Sequence, residues 1–123
     1  MDKISLNQLS FYGYHGVFEE ENQLGQIFQV DLELFLSLKK AGQTDRMEDS
    51  IHYGEVFDQV KEIVEGKPYA LIEAVSEKIA EKLLTEYDLL EACKVKVIKP
   101  NPPIAGHYQS VAVEIYRERK DYE

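Results

Sequence analysis

The chain has 123 residues, the length of one domain. With 44% hydrophobic residues it can build a core, but a short chain buries a smaller share of its surface than a long one, and sharing a core or a sheet edge with sister subunits would offset that weakness. A formal charge of −9, from 23 acidic against 14 basic residues, argues against nucleic acid as a partner, which needs clustered Lys and Arg, and leaves room for a small, neutral, polar substrate.

Residues 3–12 read as a strand in which Ile4 and Leu6 share one parity and Leu9 and Phe11 the other. A bulge or bend near Asn7-Gln8 reconciles the two halves. Glu19, Glu20 and Glu21 follow as an acidic run in a loop, the pattern of a solvated segment. Residues 27–38 carry the clearest strand signal. Phe28, Val30, Leu32, Leu34, Leu36 and Leu38 alternate with mainly polar residues, so one face is buried and the sheet is antiparallel rather than doubly covered.

Helical periodicity then takes over. Tyr53, Val56, Phe57, Val60, Ile63 and Val64 fall on one face of a helix, with Asp49 or Ser50 as its N-cap and Gly66 with Pro68 as its stop. A second helix is predicted from about Tyr69 to Tyr87. Its stripe is Ile72, Val75, Ile79, Leu83 and Tyr87, with Glu77, Lys78, Glu81 and Lys82 facing water. Two strands close the chain, one through Val95 and Val97 and one through Val111, Val113 and Ile115. Between them Pro100-Asn101-Pro102-Pro103-Ile104-Ala105-Gly106 is a stiff loop. The single cysteine, Cys93, opens an apolar run and reads as a buried, inert thiol. The N-terminus lacks the layout of a signal peptide, and no apolar stretch approaches the ~20 residues of a membrane span. A soluble cytoplasmic protein without membrane or nucleic-acid partners is the expectation.

The order β-β-α-α-β-β implies an α+β layer, a four-stranded antiparallel sheet with both helices on one face. Its edges need pairing or covering, which makes association through them plausible.

Lys99 shares a face with Val95 and Val97, so an ammonium ends a buried row just before the proline-rich loop. It is either a partly desolvated lysine suited to proton transfer or one that reaches back to solvent. Glu73 sits at the border of the second helix's stripe. There a carboxylate can offset the helix dipole or accept hydrogen bonds from a pair of N–H groups on a ligand. Tyr53 opens the first helix on its apolar side, placed either to pack in the core or to stack on a flat ring. Spacing does not separate Glu21 from its acidic neighbours. His15, His52 and His107 are far apart and show no metal signature, and no phosphate-cradling glycine motif or nucleophile elbow is present.

Several segments, in order along nearly the whole chain, resemble the dihydroneopterin aldolase family. They are Phe-Tyr-Gly-Tyr-His-Gly at Phe11 to Gly16, Glu-Asn-Gln-Leu-Gly-Gln-Ile-Phe at Glu21 to Phe28, and Ala-Gly-Gln-Thr-Asp at Ala41 to Asp45. Ile-His-Tyr-Gly-Glu-Val-Phe at Ile51 to Phe57, Leu-Ile-Glu at Leu71 to Glu73, and Val-Ile-Lys-Pro-Asn-Pro-Pro-Ile-Ala-Gly-His-Tyr at Val97 to Tyr108 complete the set. The resemblance implies a single-domain tunnelling fold (T-fold), whose subunits join edge to edge into a barrel-like ring; two tetrameric rings commonly stack as a homo-octamer. It implies retro-aldol cleavage of 7,8-dihydroneopterin in folate biosynthesis, giving 6-hydroxymethyl-7,8-dihydropterin and glycolaldehyde. Members often also epimerise the substrate to 7,8-dihydromonapterin. No cofactor is implied, neither a metal nor a lysine Schiff base, because the pterin ring holds the electrons.

By position, the resemblance makes Glu73 the anchor for the pterin's amino and ring N–H groups, with the backbone at Ile72 helping. Tyr53 would come from the neighbouring subunit, stack on the pterin and assist proton transfer. Glu21 would bind near the substrate's polar side chain and Lys99 would be the general acid/base, working through bound water. Ile51 and His52 would line the pocket through main-chain groups. Two other readings stay open. A dihydroneopterin triphosphate epimerase would need a basic cluster near Tyr53 or Glu73, which the sequence does not show. A non-catalytic ring that binds pterins or purines would give binding without turnover.

Overall fold

In the computed structural model, which describes residues 1–123, the period-two run forms β2 (Gln26–Leu36). Phe28, Val30, Leu32, Leu34 and Leu36 are buried in one row, while the residues between them are at least partly exposed. The strand stops two residues short of the predicted end because Leu38 leaves the extended conformation to become the N-cap of a one-turn helix, α2 (Lys39–Thr44). β1 (Asp2–Gly13) pairs antiparallel with β2, and its register shifts between Leu6 and Leu9. The shift is the predicted bulge at Asn7-Gln8. Gln8 adopts a left-handed φ of 54°, and its N–H donates to Asp31 Oδ1 at 2.6 Å. The extra residue returns Leu9 and Phe11 to the face that Ile4 and Leu6 occupy, so all four pack on the core.

β3 (Ala92–Lys99) pairs with β2, and β4 (Val111–Glu118) pairs with β3, giving the antiparallel order β1-β2-β3-β4. β1 and β4 are therefore the two edges. The long helices α3 (Tyr53–Val64) and α4 (Ile72–Glu86) bury Val56, Val60, Val64, Val75, Ile79 and Leu83 in one cluster with the inward rows of β2 and β3. Cys93 lies inside it, and burial pushes its thiol up to about 12. No helix is long and apolar enough to cross a membrane.

The expected element order stands, with short helices added and several boundaries corrected. The acidic run is not a solvated loop: Glu19, Glu20 and Glu21 form the first turn of α1 (Glu19–Leu24), where negative charge complements the helix dipole. Asp49 and Ser50 do not cap α3. Asp49 ends a separate 3-10 turn at Met47–Asp49, and His52 is the cap, its Nδ1 accepting from the Glu55 N–H at 3.3 Å. α4 begins at Ile72 rather than Tyr69, because the Tyr69 backbone is engaged elsewhere. Its N–H donates to His15 and its carbonyl accepts from the Gly16 N–H at 2.9 Å. Glu77 is not simply solvated: Arg117 Nε donates to it at 3.1 Å, and the Tyr122 hydroxyl donates to it as well.

Candidate active site

Strand parity carries Lys99 to the end of the buried row Val95, Val97, as the last residue of β3. Its side chain is only 11% exposed, and its Nζ lies 2.6 Å from Glu21 Oε2, itself 10% exposed. The same Nζ lies over the face of the buried Phe28 ring, 6.0 Å from its centroid. The ion pair holds the lysine in place where a lysine without a partner would extend to solvent.

Glu21 is fixed in turn by the chain that leads into α1. Its Oε1 accepts from the Phe18 N–H at 3.3 Å, so one carboxylate oxygen caps α1 while the other holds Lys99. Gly16 makes this possible: a Cβ there would sit 2.5 Å from the Glu21 carboxyl carbon, at a φ of +156° that side chains rarely adopt. The Asn22 amide donates to the carbonyls of Tyr14 and Gly16 at 2.9 and 3.0 Å, closing the 14–18 segment around the glutamate.

Glu73, exposed in the first turn of α4, opens onto the same hollow. That cavity, about 280 Å³, is lined by Glu21, Glu73 and Lys99 together with Ile72, Phe18 and Pro103. Its far wall is the proline loop. Gln26 pins this loop by a reciprocal pair, accepting from the Asn101 N–H at 3.0 Å and donating to the Asn101 carbonyl at 3.1 Å. Tyr108 closes it by donating to the carbonyls of Pro102 and Ile104, each at 2.8 Å. A cationic donor, a carboxylate acceptor and apolar walls therefore converge on a space suited to a flat polar ring.

Tyr53 and Ile51 lie elsewhere. Tyr53 is 63% exposed at the start of α3 rather than packed in the core, and it borders a separate cavity of about 480 Å³ with Ile51, Met47, Arg46 and Ile4. The His52 ring is used for capping α3, and His52 lines neither cavity. Within the chain the structure thus joins Lys99, Glu21, Glu73 and Ile72 and leaves Tyr53, Ile51 and His52 apart from them. No group of three or more His, Cys, Asp or Glu converges as a metal-binding cluster would.

Sequence reasoning missed His15. Considered there only as a possible metal ligand and found to lack that signature, it is 1% exposed, with Nδ1 accepting from the Tyr69 N–H at 2.9 Å and Nε2 donating to the Val64 carbonyl at 2.7 Å. Burial pushes it below its ordinary value of 6.5; the Val64 hydrogen bond opposes this and the charge of Lys99 adds to it. The available signal was a histidine in the Gly13-Tyr14-His15-Gly16 segment that leaves a strand.

Residues 4–116 match the family model described as dihydroneopterin aldolase. The dihydroneopterin aldolase of Bacillus subtilis (strain 168) is 54% identical over 119 residues, covering 97% of this chain and 99% of its own length. That of Streptococcus pyogenes serotype M18 is 52% identical over 119 residues, covering 97% of this chain and 100% of its own. Among solved structures, the Escherichia coli dihydroneopterin aldolase in complex with neopterin superposes with a TM-score of 0.87 at 31% identity, covering 95% of this chain and 99% of that one.

Proposed function

The chain belongs to the dihydroneopterin aldolase family, whose members are aldehyde-lyases, and from that premise we propose how its residues carry out the cleavage. The substrate is 7,8-dihydroneopterin, and the products are 6-hydroxymethyl-7,8-dihydropterin and glycolaldehyde. Residues 1–123 act as one domain, in the cytoplasm. The observation that carries the reading is the 2.6 Å pair of Lys99 and Glu21 inside the cavity that Glu73 also lines.

The Glu73 carboxylate accepts from the pterin's amino and ring N–H groups, a task for which two oxygens on one face of a helix start are suited, and the backbone at Ile72 completes that edge. Glu21 receives the hydroxylated side chain of the substrate. Lys99, working through a bound water, moves the protons. One leaves the side-chain hydroxyl as the carbon–carbon bond breaks and glycolaldehyde forms, and the bond's electron pair passes into the ring system. A proton is then returned to the carbon left on the ring. A lysine held by a carboxylate in a water-poor pocket can be proton donor and acceptor in one cycle.

Tyr53 comes to this site from the adjacent subunit. Its exposure and its membership of a different cavity support that arrangement, because within its own chain it is not with Lys99. The edges β1 and β4 support association of sheets into a closed ring, with two tetrameric rings forming an octamer. The test is direct. Purified protein supplied with 7,8-dihydroneopterin in the presence of a chelator releases glycolaldehyde; no release, or release that depends on added zinc, would overturn the proposal.

A further inference from the structure

The geometry points to His15 as the positioning residue of the pterin anchor: in its neutral, Nε2-protonated form it fixes the start of α4 and thereby the place of Glu73. The inference rests on the proposed role of Glu73.

The tautomer follows from the partners. Val64 offers a carbonyl, which only accepts, so Nε2 at 2.7 Å carries the proton. Tyr69 offers an N–H, so Nδ1 at 2.9 Å is bare. A doubly protonated ring would set an N–H against the Tyr69 N–H and break that contact. The next residue strengthens the link, since the Gly16 N–H donates to the Tyr69 carbonyl at 2.9 Å. Both backbone groups of Tyr69 are thus held by residues 15 and 16, four residues ahead of Glu73. The ring is wedged between Tyr69, stacked with centroids 5.9 Å apart, and Phe28, edge-on at 5.2 Å.

His15 also touches the other half of the site. Gly16, its neighbour, is the residue whose missing side chain makes room for Glu21. The Phe28 ring meets the imidazole edge-on at 5.2 Å and has the Lys99 ammonium 6.0 Å from its centroid. The charged groups around the imidazole are Lys99 with its partner Glu21, and Lys67, whose ammonium lies 5.3 Å from the Tyr69 ring centroid. Neither lysine favours a second proton on the imidazole, whereas Glu21 has its charge taken up by Lys99.

The experiment measures neopterin affinity and steady-state turnover in the unmodified enzyme and in His15→Asn, His15→Ala and Glu73→Ala. Asparagine keeps an acceptor near the Nδ1 position but does not titrate. His15→Ala is expected to weaken neopterin by about tenfold or more while turnover at saturating substrate changes little, because it leaves the Tyr69 N–H unpaired. His15→Asn is expected to stay close to the parent at neutral pH. In the unmodified enzyme, affinity should fall with acidification in step with the His15 imidazole titration seen by ¹⁵N NMR, and in His15→Asn that component should vanish. Unchanged affinity in Glu73→Ala would overturn the anchoring role itself. Affinity lost in Glu73→Ala but retained in His15→Ala would overturn only the present inference. The same acid profile in His15→Asn as in the parent would overturn it too, and this readout stands even where the alanine variant does not fold.

Discussion

Glu21 Oε2 and Lys99 Nζ meet at 2.6 Å although the residues lie 78 positions apart, and both side chains are close to nine-tenths covered. A charge pair this sheltered is costly to bring out of water, and its members are costly to separate. Here the cost is offset by a second use of the carboxylate, which caps α1 through the Phe18 N–H. The site is therefore set up by the fold before substrate arrives.

A division of labour between Lys99 and Glu73 follows from their surroundings. Lys99→Ala is expected to lower kcat by about 10²- to 10⁴-fold, the usual worth of a positioned acid or base, with neopterin Kd nearly unchanged. Glu73→Ala is expected to raise Kd by roughly ten- to a hundredfold, since it removes charge-assisted hydrogen bonds. Steady-state kinetics together with equilibrium binding separates the two. Equal losses in kcat and Kd for both variants would contradict the division.

Displacing the carboxylate without removing it probes the pair from a different side. Gly16→Ala puts a Cβ 2.7 Å from Glu21 Cβ as well as against the carboxyl group, so the whole side chain must move and not only its tip. Turnover is expected to fall by about tenfold or more, while neopterin binding at Glu73 suffers less. Glu21→Gln keeps the shape but leaves the Lys99 ammonium without its counter-charge. Turnover is then expected to fall by about tenfold or more, because the lysine is no longer held at one place in the cavity. Turnover equal to the parent's in Glu21→Gln would show that Glu21 does not govern the lysine.

What could be read from the sequence divides along physical lines. Period-two alternation located β2, and the parity break between Leu6 and Leu9 revealed the bulge at Gln8, because both are local consequences of one buried face. Parity also placed Lys99 at the end of a buried row. The sequence could not say what that ammonium meets, since Glu21 reaches it through tertiary folding alone and its acidic neighbours have the same composition and spacing. The α3 cap was missed because Asp49 is used in its own 3-10 turn, and a histidine, a poorer cap by type, stood in the right place. Glu77 looked like a solvent-facing helix residue because Arg117 and Tyr122 lie about 40 positions away in sequence.

The proposed sharing of the site between subunits can be tested by mixing. Tyr53→Ala and Lys99→Ala are each expected to be nearly inactive, because each spoils every site in its own multimer. Co-assembled at equal ratio, they should recover activity, since about a quarter of sites then join an intact Lys99 to an intact neighbouring Tyr53. Denaturing and refolding the two together, with each refolded alone as control, gives the comparison. A mixture no more active than its components would place both residues in one subunit's site and contradict the separation of the two cavities.

Acid stability should show two separate steps. Burial holds His15 below its ordinary 6.5, so the unfolded chain binds a proton there that the folded chain resists; stability from this group is complete above about 6.5 and is lost as pH falls from there toward the lowered folded value. Glu77 is held below the ordinary carboxyl value of 4.5, first by the Tyr122 hydroxyl and then by Arg117, with burial opposing them. The sign is the familiar one for a paired carboxylate: its contribution is present above 4.5 and disappears as pH falls through the depressed folded value. Urea unfolding followed at fixed protein concentration, from pH 8 down to about pH 3, should therefore show a first decline that His15→Asn flattens and a second that Glu77→Gln flattens. His15 ties the segment ahead of α4 through the Tyr69 N–H, whereas Glu77 ties α4 itself to β4 through Arg117 and to the C-terminal turn (Arg119–Tyr122) through the Tyr122 hydroxyl. Their declines should then be additive in the double variant; a strong coupling between them would mean that α4 shifts as a unit when either tie is broken.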